Sequence, residues 1–187
     1  MTTPNFPGKT ALLDTTERLI YAGGIHATGM DAIVKASGVA RKTLYGHYPT
    51  KEALVVAALT RRDERWMQWF ITATSHQHDP DARLLSVFTA LHEWFQSKTF
   101  HGCAFLNAAG EIGDPANDIR GVARMHKERL LSYLVELTTM RGQRKPERLA
   151  MQFLLLIDGA ISAALVFDNP DAAVDAGVAA RVLLEAS

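Results

Sequence analysis

Apolar residues recur along the chain at intervals of three and four, and no run alternates apolar and polar positions long enough to make a strand. The pattern predicts an all-α chain. A first helix, about Thr10 to Ala22, carries Leu12, Thr15, Thr16, Leu19 and Ile20 on one face and stops at Gly23-Gly24. Thr28, with Asp31 three residues on, offers a capping box for a second helix reaching Ser37. Gly38 supplies a sharp turn, a third helix spans about Ala40 to Tyr48, and Pro49 ends it. Thr50 can cap a fourth helix that continues past Leu54, Val55, Ala58 and Leu59 into Trp66, Trp69 and Phe70, breaking between His76 and Pro80. Asp81 to Ser97, Cys103 to Ile112, Pro115 to Met140, Pro146 to Phe167 and Pro170 to Glu185 complete a set of about nine helices, several opened by proline where its missing N–H is harmless.

One segment changes the picture. From Ala150 to Phe167 only Gln152, Asp158 and Ser162 are polar, which imitates a membrane span. An aspartate near the centre of such a span costs about 2.5–3.5 kcal/mol, so a helix buried on several sides of a soluble protein is the expectation, with no membrane partner. Asp158 would then bond across a dimer or face a pocket.

The 187 residues suit one or two domains, and 48% hydrophobic with 21% charged residues excludes a disordered chain. Twenty Lys+Arg balance twenty Asp+Glu, yet unevenly: through Arg62 eight basic residues face four acidic ones, and afterwards twelve face sixteen. The expected division is residues 1–55 and 56–187. The lone Cys103 can form no internal disulfide and MTTPNFPGKT has no apolar signal region, so a cytoplasmic protein is expected.

Two short helices around a glycine turn, after a longer amphipathic one, have the layout of a helix-turn-helix. Ile33, Val34, Val39 and Leu44 can close a small core, while Arg41, Lys42, Thr43 and His47 fall on the opposite side of the third helix. Those side chains reach phosphates and base edges. Lys51 opens the fourth helix, where the dipole also attracts a phosphate.

The string GMDAIVKASGVARKTLYGHYPTKEAL (residues 29–54) carries a closer signal. It resembles the DNA-binding module of the TetR family of bacterial transcriptional regulators over roughly Lys9 to Leu59. The resemblance implies that Thr43, Tyr45 and His47 contact an operator, that Lys51 and Thr28 meet phosphates, and that Arg41 and Lys42 read bases. For Tyr45 an aromatic half buried between helices is the alternative; Tyr48 is expected in the core. Ala40 departs from the family's usual capping Ser or Thr, removing about 1 kcal/mol of capping. Val34 replaces a small residue near the helix crossing. A repressor whose operator affinity falls on binding a small effector is implied.

FHGCAFLNAAGEIGDPANDIRGVARMHKERLLSYL (residues 100–134) is similar to a subgroup of the same family, in which this region lines an effector cavity and the last two long helices pair with a second subunit. A homodimer on a palindromic operator, with half-sites about 34 Å apart or a multiple of it, follows. Candidate pocket residues are Trp66, Trp69, Phe70, Trp94, Phe95, Phe105, Met125, His126 and Phe153, with Asn107 and His126 favoured for a polar effector. Cys103 beside His101 admits a redox reading or plain burial, and no His/Cys set including His76, His78 or His92 has firm ligand spacing, so no metal or cofactor is expected. The alternative is a small helical enzyme using His126 with Glu128 or Glu111. No G-x-S-x-G elbow, phosphate loop or H-E-x-x-H pair supports it, and a non-enzyme is expected.

Overall fold

A computed structural model describes residues 6–186. Among these, nine helices and no strand form, in the order expected: α1 Lys9–Gly23, α2 Met30–Ser37, α3 Arg41–His47, α4 Lys51–Thr74, α5 Pro80–Phe95, α6 Ala104–Glu111, α7 Asp118–Met140, α8 Pro146–Phe167 and α9 Ala172–Glu185.

The punctuation works largely as its chemistry dictates. Asp79 accepts from the Ala82 N–H at 2.8 Å, with Pro80 in the first turn of α5. Thr50 accepts from the Ala53 N–H at 3.1 Å, capping α4. Gly38, at φ 68°, turns the chain between α2 and α3.

Two start signals work differently. Thr28 does not cap α2: Gly29 stands at that position without a side-chain bond, and the buried Thr28 hydroxyl donates to the Gly24 carbonyl at 2.7 Å. A buried hydroxyl takes the nearest carbonyl, and the turn after α1 supplies one four residues back. Pro115 lies ahead of α7, inside a turn in which Asp114 accepts from the Ala116 N–H at 2.9 Å, and Asn117 prepares the helix by accepting from Ile119 N–H at 2.9 Å.

The described chain falls into two compact units: the segment through Arg65 together with Ala104–Met125, and Trp66–Cys103 together with the segment from His126 onward. In the first, Leu12, Leu13, Ile33, Leu44, Tyr48, Leu54 and Ala58 form one core, with Val34 and Val39 partly buried against it. Glu17 of α1 binds Arg62 at 2.7 Å and Arg65 at 2.5 Å, while Asp14 binds Arg61 at 2.8 Å. In the second unit α9 packs on α5 and α8, approaching α5 so closely at Gly177 that a Cβ there would stand 3.3 Å from the Phe88 Cβ.

The apolar helix α8 is long and apolar enough to cross a membrane, with 44% of its apolar window buried. Asp158, expected at a dimer contact or a pocket, instead pairs with Lys127 of α7 in the same chain, which supplies the partner a half-buried carboxylate requires.

Tyr48 is buried at 3% exposure, and its hydroxyl finds no hydrogen-bond partner among the described residues; burial pushes its phenol above the ordinary value. An unsatisfied buried hydroxyl costs about 1–3 kcal/mol. Tyr48→Phe is therefore expected to raise the melting temperature by about 2–4 °C per kcal/mol recovered, read by calorimetry; a lower melting temperature would refute the account.

Candidate nucleic-acid interface

Helix α3 has seven residues, and only Leu44 among them is fully buried. With Leu44 turned into the core, the helical period sends the remaining side chains outward or sideways. Arg41, Lys42 and Tyr45 are exposed, Tyr45 at 38%; Thr43 and His47 are half-buried. Lys51, half-buried, stands in the first turn of α4, so a cation and the positive end of the helix dipole share one place. Arg41, Lys42, Thr43, Tyr45, His47 and Lys51 thus occupy one short stretch of surface around α3 and the turn into α4. Thr28 is placed apart from them in chemistry, since its hydroxyl is engaged inside the α1–α2 turn.

Two features carry no periodic signal. Asp31 of α2 forms an ion pair with Arg41, whose guanidinium also lies 6.0 Å from the Tyr45 ring centroid. Asp31 stands in sequence where a capping-box carboxylate would, and its partner Arg41 lies ten residues away on another helix. Phe6, ahead of α1, stacks on the His47 ring at 3.9 Å with planes 6° apart, fixing the plane of the imidazole. Its only sequence cue is an aromatic beside Pro7-Gly8, where no helical register exists to place it.

The candidate effector residues divide between the units. Trp66, Phe70, Trp94 and His126 belong to the second, and Phe105, Asn107 and Met125 to the first. Within the second unit Trp66 stacks on Phe70 at 4.8 Å and meets Trp69, Trp94 and His126 edge-on at 5.7, 5.8 and 5.0 Å. Phe95 adjoins Trp94 at 5.8 Å, whereas Phe153 meets Phe88 at 5.9 Å. His126 and Phe105 are buried at 2%, Met125 is half-buried and Asn107 exposed.

Residues 6–58 match the family model described as "Bacterial regulatory proteins, tetR family". The chain is 30% identical over 95 residues to the HTH-type transcriptional regulator UidR of Escherichia coli K12, a match spanning 51% of this chain and 48% of UidR. It is 28% identical over 155 residues to the HTH-type transcriptional repressor ComR of the same organism, spanning 76% of this chain and 70% of ComR. A crystal structure of a TetR-family transcriptional regulator from Streptomyces coelicolor superposes with a TM-score of 0.88 at 30% identity, covering 95% of this chain and 94% of the other. The chain belongs to the TetR family. In this TetR-family chain the helix-turn-helix is α2–Gly38–α3, and its outward face is the basic one just described.

The Asp31–Arg41 pair is solvent-exposed, with side-chain exposures of 76% and 56%, and such pairs contribute less than about 1 kcal/mol. Asp31→Asn is expected to leave stability within about 1 kcal/mol while strengthening binding to duplex DNA at low salt, by freeing Arg41 and removing an acid from the face. A loss of DNA affinity in a salt titration would contradict this.

Proposed function

We propose that the chain is a homodimeric, sequence-specific transcriptional regulator, acting in the cytoplasm, in which residues 1–55 read DNA and residues 56–187 hold a small effector and the second subunit. The observation that carries the reading is the orientation of α3: one leucine inward, and Arg41, Lys42 and Tyr45 outward on a helix of the right size for the major groove. Arg41 and Lys42 read base edges; Thr43, Tyr45 and His47 hold the backbone, with Lys51 taking a phosphate at the start of α4. Thr28 closes the turn before α2 and reaches DNA only through its neighbours.

A seven-residue helix touches few base pairs, so two copies on a palindromic operator are needed for tight binding. The exposed faces of α8 and α9 support the pairing. Met151, Leu155, Leu165 and Val166 stand out on α8, and Val174, Val178 and Val182 on α9 at four-residue spacing, with Val178 at 61% and Leu155 at 65% exposure. Apolar rows on two neighbouring helices fit a four-helix bundle with a second copy. Effector held around Trp66, Phe70, Trp94 and His126 would favour a dimer with altered separation of its α3 helices and so release the operator, the coupling being reciprocal. Repression relieved by the effector is the mode that this supports.

The enzyme alternative gains nothing from the geometry. His126 lies edge-on against Trp66, and the Glu111 carboxylate is engaged by backbone N–H groups.

Arg41→Ala and Lys42→Ala are each expected to weaken binding to an operator enriched from random duplexes by about 1–3 kcal/mol where the side chain reads a base, with the helical circular dichroism intact. Equal binding to every duplex by the unaltered protein would overturn the reading. Separately, Leu155→Arg with Val178→Arg should convert a dimer to a monomer in sedimentation; an unaltered mass would exclude α8 and α9 as the interface.

A further inference from the structure

The last residue of α6, Glu111, reaches back to the turn between α1 and α2. Its carboxylate accepts hydrogen bonds from the backbone N–H of Ile25 and of His26, each at 2.8 Å, with one oxygen given to each. The His26 imidazole Nε2 donates to the Glu111 carbonyl at 2.9 Å. Gly24, at φ 88°, makes room: a Cβ there would stand 3.2 Å from both carboxylate oxygens. On the other side of the turn the Gly24 carbonyl is taken by Thr28.

Local preference does not explain the glutamate. An acidic side chain at a helix C-terminus opposes the helix dipole, and α6 has no basic residue in its last turn. The opposing cation comes from elsewhere: Arg120 of α7 donates to the carbonyls of Ala109 and Ile112 at 3.3 and 3.2 Å, pinning the same helix end. The backbone of the helix end is therefore held by Arg120 while the Glu111 carboxylate grips two consecutive N–H groups. Those two N–H groups lie on the short connection that carries the chain into α2, whose Ile33 shares a core with Leu44 of α3.

We propose that Glu111 is a positioning residue for DNA reading: it sets the α1–α2 turn, and through that turn the placement of α2, whose Ile33 shares a core with Leu44 of α3. The role rests on the DNA-binding function proposed above. A carboxylate accepting two backbone N–H groups is a charge-assisted contact, directional at both oxygens, and fixes the rotation of the turn as well as its distance. Loss of the carboxylate frees the turn, and α2 with it, without removing any side chain from the DNA-facing surface.

The test compares the unaltered chain, Glu111→Ala and Glu111→Gln in amide hydrogen exchange and in binding to two duplexes: one enriched by the unaltered protein from a random pool, the other a shuffled sequence of the same composition. In Glu111→Ala the Ile25 and His26 amides should exchange at least about tenfold faster, and preference for the enriched duplex should fall about tenfold with affinity for the shuffled one unchanged, as expected for two lost charge-assisted bonds acting on the site indirectly. Glu111→Gln keeps one acceptor oxygen and should fall between, and it carries the comparison alone if Glu111→Ala does not fold. Freed amides with an undiminished preference would reduce Glu111 to a structural staple and overturn the proposal. An unaltered protein with no preference between the duplexes would overturn the DNA reading itself, a result distinguishable because it appears before any substitution.

Discussion

A helix of seven residues has no stability of its own in water, since nucleation costs more than two turns of hydrogen bonds return. Helix α3 exists because Leu44 joins a buried core with Leu12, Leu13, Ile33, Tyr48, Leu54 and Ala58, which serves as its socket. The same fact fixes what α3 presents. Its inner side has room for one leucine, so Arg41, Lys42 and Tyr45 are displayed whatever their chemistry, and the face can vary in sequence while the socket cannot.

The charge of the amino-terminal third is less available than a count suggests. Arg61, Arg62 and Arg65 are drawn onto Asp14 and Glu17, and Arg62 also lies over the Tyr21 ring at 3.8 Å. Those arginines tie α4 to α1. Lys42 of α3 and Lys51 in the first turn of α4 stand outside these pairs, where a phosphate backbone can use them.

Helix positions were legible because proline, glycine and apolar spacing act locally: Gly38, Pro80, Pro146 and Thr50 each work within four residues of themselves. Thr28 misled because its hydroxyl had two local acceptance schemes, and burial in the turn decided for the Gly24 carbonyl. Asp158 misled for the opposite reason, as its partner Lys127 lies 31 residues away on another helix. Glu111 was invisible as a structural group: its partners are 85 and 86 residues distant, they are backbone atoms that leave no mark on composition, and its helix position runs against local preference. Of the interface, the outward cations could be read from helical period, while the stacking of Phe6 on His47 could not, since Phe6 precedes any periodic segment.

All three tryptophans of the chain, Trp66, Trp69 and Trp94, sit in one cluster with ring centroids 5.7 to 6.1 Å apart. The tryptophan emission of the whole polypeptide therefore originates at a single spot, beside the His126 imidazole, and the helix-turn-helix, which holds tyrosine but no tryptophan, contributes nothing when tryptophan alone is excited. Tryptophan light from this protein reports on one neighbourhood, so a change in it that accompanies a binding event elsewhere measures how far the disturbance has travelled.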